Sequence, residues 1–402
     1  MARIVMIVSN PCTADARVIK MAEGAAEAGH EVHIFATAKK GVSRYETVNG
    51  ITYHRLSWNL SAFLRKNMGI VKYSYKIHRW IGRFWVYMFA FFVKFGVFAN
   101  VFSEQIAQLK PDIIHAHDLI TLPAGHRAAV ECGAKLIYDA HELEVHRAPP
   151  LPIHKKMFTY YIERKYASKS DGVITVGEIL GEILARQIGR DDLVVALNSP
   201  VIGESSSNIR EDLRLTSGEL ICVYVGKITL GRGIIDVIDL LPDMPELNFV
   251  AVGPNDPTAL EEVRDHAQAL GVTDRFFVLP PVHFKEVVNY IRGADVGILS
   301  VEPISLSYEV AMPNKLFEMS FADIPIITND LVNVKLVVNE LKNGEITDFK
   351  STGVIGYKIE KLLRHRDQYK MNEETKQILE EKYSWRTQMN NVLGLYEKVL
   401  NS

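Results

Sequence analysis

The stretch Pro313-Asn314-Lys315-Leu316-Phe317-Glu318 reads as the opening of a helix set between two short apolar runs, Val296–Leu299 and Ile324–Thr328. A strand, a helix and a second strand in that order make a parallel crossover unit. Proline suits the start of the helix, because its φ is fixed and its missing N–H falls where donors lack intrahelical partners. The free N–H groups that follow, with the positive end of the helix dipole, form a seat for a diphosphate. Glu318 lies four residues after Asn314, so both side chains share one face. A carboxylate there could accept both hydroxyls of a ribose. The spacing alone equally fits an amphipathic helix with Lys315 and Glu318 paired at its surface.

The same alternation of apolar run and helical stretch extends over the whole chain, which predicts parallel sheets with crossover helices. In the first half the expected strands are Ile4–Val8, Val32–Ala36, Ile113–His115, Lys135–Tyr138, Gly172–Val176 and Val194–Leu197. In the second half they are Ile221–Val225, Phe249–Val252, Phe276–Leu279, Val296–Leu299 and Ile324–Thr328. Val18 to Ala28 reads as a helix that stops at Gly29. Both sets look like Rossmann-type units. Open α/β sheets bind ligands outside the carboxyl ends of their strands, and almost every polar motif here follows an expected strand.

A chain of 402 residues exceeds what one core usually holds, so two domains are expected, with a boundary in the turn-rich stretch Asn198–Ser207. Hydrophobic residues at 48% and charged residues at 23% describe an ordinary globular protein. A net charge of −2 gives no field that would draw nucleic acid. Cys12, Cys132 and Cys222 are widely spaced, match no metal-binding pattern and fit reduced thiols of a cytoplasmic protein. The apolar run after Met1 is too short for a signal peptide and reads as a buried strand. Composition leaves the oligomeric state open.

Six motifs in order resemble retaining GT-B glycosyltransferases of family 4. They are Asp15-Ala16-Arg17-Val18, His115-Ala116-His117-Asp118, Tyr138-Asp139-Ala140-His141-Glu142, Tyr224-Val225-Gly226-Lys227 with Gly231-Arg232-Gly233, Pro313–Glu318, and Tyr383-Ser384-Trp385. The resemblance implies two Rossmann-like domains facing across a cleft. Residues 1–200 would form an acceptor-binding domain and 201–382 a nucleotide-sugar-binding domain. A final helix over 383–402 would pack back on the first. It also implies a metal-independent reaction, with a nucleotide sugar, UDP-linked before GDP-linked, as substrate and no cofactor.

Lys227 and Arg232, in a loop opened by glycines 226, 231 and 233, would neutralise the diphosphate leaving group. Pro313, Asn314, Lys315 and Glu318 would complete the donor site around Gly226, with Glu318 on the ribose. Many family members carry two glutamates seven residues apart, but the first position here is Val310. Glu309 is one residue out of register, so Glu309, Tyr308 or amides near Met312 would meet the sugar. His117 matches the histidine that approaches the transferred sugar. Asp118, Asp139, His141 and Glu142 end the same or the neighbouring strand and would face the acceptor. Asp15 and Arg17 would shape the first loop or meet the acceptor. Two other readings share the architecture: a UDP-sugar 2-epimerase-like isomerase, and a non-catalytic partner of another transferase.

Between Thr47 and Ser103 there is no acidic residue, and eight Lys and Arg. Lys72, Lys76, Arg79 and Arg83 recur at helical spacing, and Phe84 to Phe102 carries nine aromatic residues, Trp85, Phe91 and Phe92 among them. Lys94 falls mid-segment, which disfavours a transmembrane span. The stripe suits an insertion around 60–103 lying on an anionic membrane surface, and so a peripheral enzyme on the inner face with a lipid-linked saccharide or surface glycan as acceptor. A helix packed on the first domain would place some of those aromatics in a core instead.

Overall fold

The computed structural model describes residues 1–58, 60 and 79–402, with side chains from residue 90 onward in the helix Arg79–Gln108. The chain divides into two units, Met1–Ala196 with Met389–Ser402, and Leu197–Gln388.

Among the described residues the first unit is built on eight strands. They are β1 (Arg3–Ile7), β2 (Glu31–Thr37), β3 (Tyr45–Val48), β4 (Ile51–Leu56), β5 (Ile113–His117), β6 (Lys135–Ala140), β7 (Gly172–Thr175) and β8 (Val194–Val195). Their order is β3-β4-β2-β1-β5-β6-β7-β8, parallel except for the β3–β4 hairpin. Both faces of the central strands are covered, so β1 and β5 are almost uninterrupted buried runs. The hairpin was not among the expected strands. Asn49 and Gly50 turn it with φ of 52° and 77°, the doubly left-handed turn that Asn-Gly favours.

The expected helix after β1 spans Ala16–Glu27, and Gly29 follows with φ 86°. Asp15 is its N-cap, accepting from Val18 N. The C-terminal segment packs here through glycines. A Cβ on Gly24 would lie 2.7 Å from Met389 Cγ, and one on Gly172 would lie 2.9 Å from Leu395. The helix Trp385–Leu400 therefore joins the first unit only from Met389. Tyr383 stays in the second, its ring 5.3 Å from Phe317.

The second unit is a six-stranded parallel sheet of β9 (Leu220–Val225), β10 (Leu247–Val252), β11 (Phe276–Leu279), β12 (Val296–Leu299), β13 (Ile326–Asn329) and β14 (Gly344–Thr347). The order β11-β10-β9-β12-β13-β14 is the doubly wound arrangement, with its switch point between β9 and β12. β13 begins after Pro325, later than the apolar run suggested, because proline has no N–H for the ladder. β8 stops short of Leu197, whose amide is taken by the Gln388 side chain. At the head of β9, a Cβ on Gly253 would lie 2.3 Å from Gly226 O, so the two loops touch backbone to backbone.

Candidate active site

In the second unit the polar residues gather at the switch point. β9 ends at Val225, and Gly226 follows with φ 124°, a conformation that keeps side chains away from the loop. Lys227 is exposed and Arg232 half-buried. The Arg232 guanidinium lies 5.2 Å from the centre of the Tyr308 ring, with a 3.4 Å hydrogen bond to its hydroxyl. The helix Asn314–Phe321 takes Pro313 as its N-cap rather than its first residue. Its buried face, Leu316, Phe317, Met319 and Ser320, anchors it to the sheet. That leaves Asn314 exposed and Glu318 half-buried at its start.

Lys315 departs from the surface pairing that spacing allowed. Its Nζ is shut off from solvent, has no hydrogen-bond partner and lies 4.0 Å from the centre of the Tyr224 ring. Burial, followed by the neighbouring Arg232 charge, pushes its pKa down to about 7, against a smaller opposing pull from Glu318. Glu309 closes the short helix Leu306–Glu309 on the exposed side, whereas Val310 is buried and its carbonyl accepts from Asn333. The register shift has a packing cause: position 310 points into the core.

In the first unit one carboxylate organises the site. Asp139 is fully buried at the end of β6. Arg17 reaches it from the first helix with two hydrogen bonds, Nε to Oδ2 at 2.8 Å and Nη2 to Oδ1 at 2.7 Å. His117 Nδ1 and His141 Nε2 each lie 3.1 Å from Oδ2. Burial opposes its charge, but Arg17 and then His141 hold the carboxyl well below its usual range. His141 lies between two carboxylates, with Asp118 Oδ1 3.1 Å from its Nδ1. They overcome the cost of burial and raise it to about 10, so it is an imidazolium at neutral pH.

Asp139 and His117 face the interior of the first unit. Both are fully buried, because the paired strands β5 and β6 turn them toward Arg17 and toward each other. Asp15 is likewise occupied, accepting from Val18 N and Asn10 Nδ2. These bonds fix its carboxylate in the loop before the first helix. His117 Nε2 and His115 Nε2 have no hydrogen-bond partner. Ligand atoms of His115, His117 and Asp139 lie within 4.8 Å of one another, as metal ligands would. The Asp139 oxygens already hold a guanidinium, however, and a divalent ion would sit against that fixed charge.

Asp118, Glu142 and Glu144 open onto a cavity of about 370 Å³, which Lys94 and Arg147 also line. Burial and the nearby Glu142 push Glu144 up to about 7, and burial raises Glu142 in the same direction. Sequence reasoning missed Glu144 and Tyr396, whose hydroxyl lies 2.8 Å from His115 Nδ1 across 281 residues of sequence. No local pattern marks either of them.

Lys72 and Lys76 lie outside the described residues, and Arg79, Arg83 and Trp85 lie on the described backbone of the helix Arg79–Gln108. Phe91 and Phe92 are half-buried rather than free for lipid, with ring centres 6.2 and 4.7 Å from that of Phe158. Among the described residues no helix is long and apolar enough to cross a membrane.

Two doubly wound sheets, one per unit and parallel but for the β3–β4 hairpin, define a GT-B glycosyltransferase fold. The family model described as Glycosyltransferase Family 4 matches residues 14–199, and that described as Glycosyl transferases group 1 matches residues 205–379. The chain belongs to the GT-B glycosyltransferases of family 4. It is 24% identical over 255 residues to a D-inositol 3-phosphate glycosyltransferase of Xylanimonas cellulosilytica, over 59% of this chain and 60% of that relative. Among solved structures it resembles sucrose-phosphate synthase of Thermosynechococcus elongatus, with a TM-score of 0.74, 16% identity and full coverage of both chains. It also resembles Anabaena HepE in complex with UDP and glucose, with a TM-score of 0.71, 12% identity, and coverage of 99% of this chain and 100% of that one.

Proposed function

We propose that the protein transfers a sugar from a nucleotide diphosphate sugar, UDP-linked by preference, to a hydroxyl of a lipid-linked saccharide or surface glycan, with retention at the anomeric carbon. The observation that carries the donor half is the Lys315 ammonium, held out of water without an acceptor beside Arg232 and the glycine-opened end of β9. A buried cation without a partner is costly, and a diphosphate would supply the missing acceptor. Lys227, Arg232 and Lys315 stabilise the charge that develops on the leaving group. Glu318 holds the ribose hydroxyls. With those cations in place the reaction needs no divalent ion.

The acceptor oxygen attacks the anomeric carbon as the bond to the β-phosphate oxygen breaks, and the acceptor proton passes to the departing phosphate. The products are a glycoside and a nucleoside diphosphate. His117, with Nδ1 toward Asp139, offers Nε2 to a sugar hydroxyl. Asp118, Glu142 and Glu144 supply acceptors for the incoming saccharide around their cavity. UDP in the complex of a structural neighbour favours the uridine donor. The acid-free, aromatic 47–103 stretch favours a peripheral place on an anionic membrane.

The test is a thermal-shift panel of UDP, GDP, ADP and CDP and their sugars, with and without EDTA. A ligand at a hundred times its dissociation constant stabilises a fold by ~2.7 kcal/mol, enough for a shift of several degrees. A shift with UDP that EDTA leaves unchanged is expected. No shift with any nucleotide would sink the donor assignment.

A further inference from the structure

The helix Ile153–Ala167 presents two unlike faces. Toward the protein it buries Lys155, Thr159, Ile162, Glu163 and Ala167. Phe158 packs against Phe91, Phe92 and Phe95 of the helix Arg79–Gln108. Away from it, Ile153 is 71% exposed, Met157 66%, Tyr160 40% and Tyr161 56%. Their steps of four, three and one follow a single helical stripe. Scattered apolar residues on a surface are ordinary, but four large ones in one line are not.

The charges around the stripe have one sign. From Arg147 to Ser170 the sequence holds six Lys and Arg against a single acid, Glu163. That acid is fully buried and accepts from the Tyr138 hydroxyl, so this helix shows no carboxylate at its surface. Arg164 and Lys165 are exposed at its end, and Lys169 just beyond it. Lys165 Nζ lies 5.6 Å from the Tyr161 ring centre, and Arg164 donates to the Tyr160 hydroxyl. Aliphatic side chains, tyrosines and cations in one stripe match the layers of a bilayer interface.

We propose that the outer face of the helix Ile153–Ala167 docks on an anionic lipid bilayer. Ile153 and Met157 enter the boundary of headgroups and acyl chains, Tyr160 and Tyr161 lie at headgroup level, and Lys156, Arg164, Lys165 and Lys169 meet lipid phosphates. A second copy of the chain fits this face less well, because a two-fold contact would set the cations of one copy against those of the other. The inference deepens the peripheral location proposed above by giving it a surface, and it does not depend on the donor site. It moves the contact away from the stripe Lys72–Arg83, since the helix Arg79–Gln108 turns Phe91 and Phe92 toward Phe158.

The experiment is co-sedimentation of the full chain with vesicles of phosphatidylglycerol and phosphatidylcholine, and with phosphatidylcholine alone. Three proteins are compared: wild type, Ile153→Asp with Met157→Asp, and Lys76→Glu with Arg79→Glu and Arg83→Glu. All substituted side chains of the helix Ile153–Ala167 are exposed, and unchanged circular dichroism and an unchanged nucleotide thermal shift check that fold and donor site persist. Expected is binding of wild type to the anionic vesicles only, with partitioning of the Ile153/Met157 variant reduced by about tenfold or more and the triple variant retained. Wild type that stays in the supernatant would overturn both the surface and the peripheral location. Release of the triple variant with the Ile153/Met157 variant still bound would overturn this surface and keep the location. Conversion of a wild-type dimer to a monomer by the Ile153/Met157 substitutions, seen by light scattering, would assign the face to a second copy instead.

Discussion

The two polar clusters differ in how their charges are balanced. In the first unit Asp139 meets a guanidinium and two imidazoles within 3.1 Å, and His141 is held between two carboxylates. Each of those charges has its counter-charge in the fold. In the second unit Arg232 leans on a tyrosine, and Lys315 rests on another with no hydrogen-bond acceptor. A balanced cluster is rigid and complete before any ligand arrives. An unbalanced one stores affinity for an anion, because the ligand removes an electrostatic cost the empty site carries. On the proposed function, the first arrangement orients and the second binds.

Removing Arg17 should break the balanced cluster most severely. Arg17→Ala leaves the buried Asp139 carboxylate without its guanidinium, which costs about 3–5 kcal/mol. A lower midpoint of urea denaturation for the variant checks this, and an unchanged midpoint would mean that water replaces the guanidinium.

His117→Ala tests whether the balanced cluster takes part in turnover. Loss of one preorganised hydrogen-bonding group costs about 2.7–4 kcal/mol in the transition state, or roughly 10²–10³ in kcat. UDP affinity measured by calorimetry should stay near wild type, since the donor residues lie in the second unit. Equal losses in both would instead indicate a general disturbance of the fold.

The unbalanced cluster predicts a pH dependence. With its pKa lowered to about 7, Lys315 in the empty site is largely neutral above that pH, and a diphosphate binds the cation. UDP binding therefore takes up a proton at pH 8, and affinity falls as pH rises above about 7, by at most tenfold, or about 1.4 kcal/mol, per unit. Lys315→Arg, charged throughout, should flatten the profile. For the empty fold the sign is reversed. Between about 7 and the ordinary lysine value of 10.5 the unfolded chain binds the extra proton, so this group's contribution to stability improves as pH rises through that window. A flat wild-type profile would remove Lys315 from the diphosphate.

The smallest effect should come from Tyr396→Phe, which deletes the hydroxyl near His115 Nδ1 and costs about 1 kcal/mol. Denaturation midpoints of the single variant and of its combination with Arg17→Ala would show whether His115 is coupled to the Asp139 network. Strict additivity would separate them.

Much of the fold was legible because its signals are local. The runs at Phe276–Leu279 and Val296–Leu299 are strands with those same limits, since buried parallel strands need continuous apolar residues. The β3–β4 hairpin carried its signal too, in Asn49-Gly50 between apolar flanks, although it was not read as a pair of strands. β14 gave little to read, being four residues of which two are polar. Of the site, glycines 226, 231 and 233, the histidines of β5 and His141 just after β6 were visible as types at strand ends. Their partners were not.

The sequence by itself determined two doubly wound units, the loops that carry polar residues, and family membership through six motifs in order. These depend on neighbours in the chain, whose φ, ψ and face are set within a few residues. Only the tertiary structure decided which charges meet. Arg17 finds Asp139 across 122 residues because strand order brings β1, β5 and β6 side by side. Lys315 loses its water because its helix lays it on Tyr224 of β9. A charge's chemistry is set by what surrounds it in space, and periodicity along the chain carries no record of that.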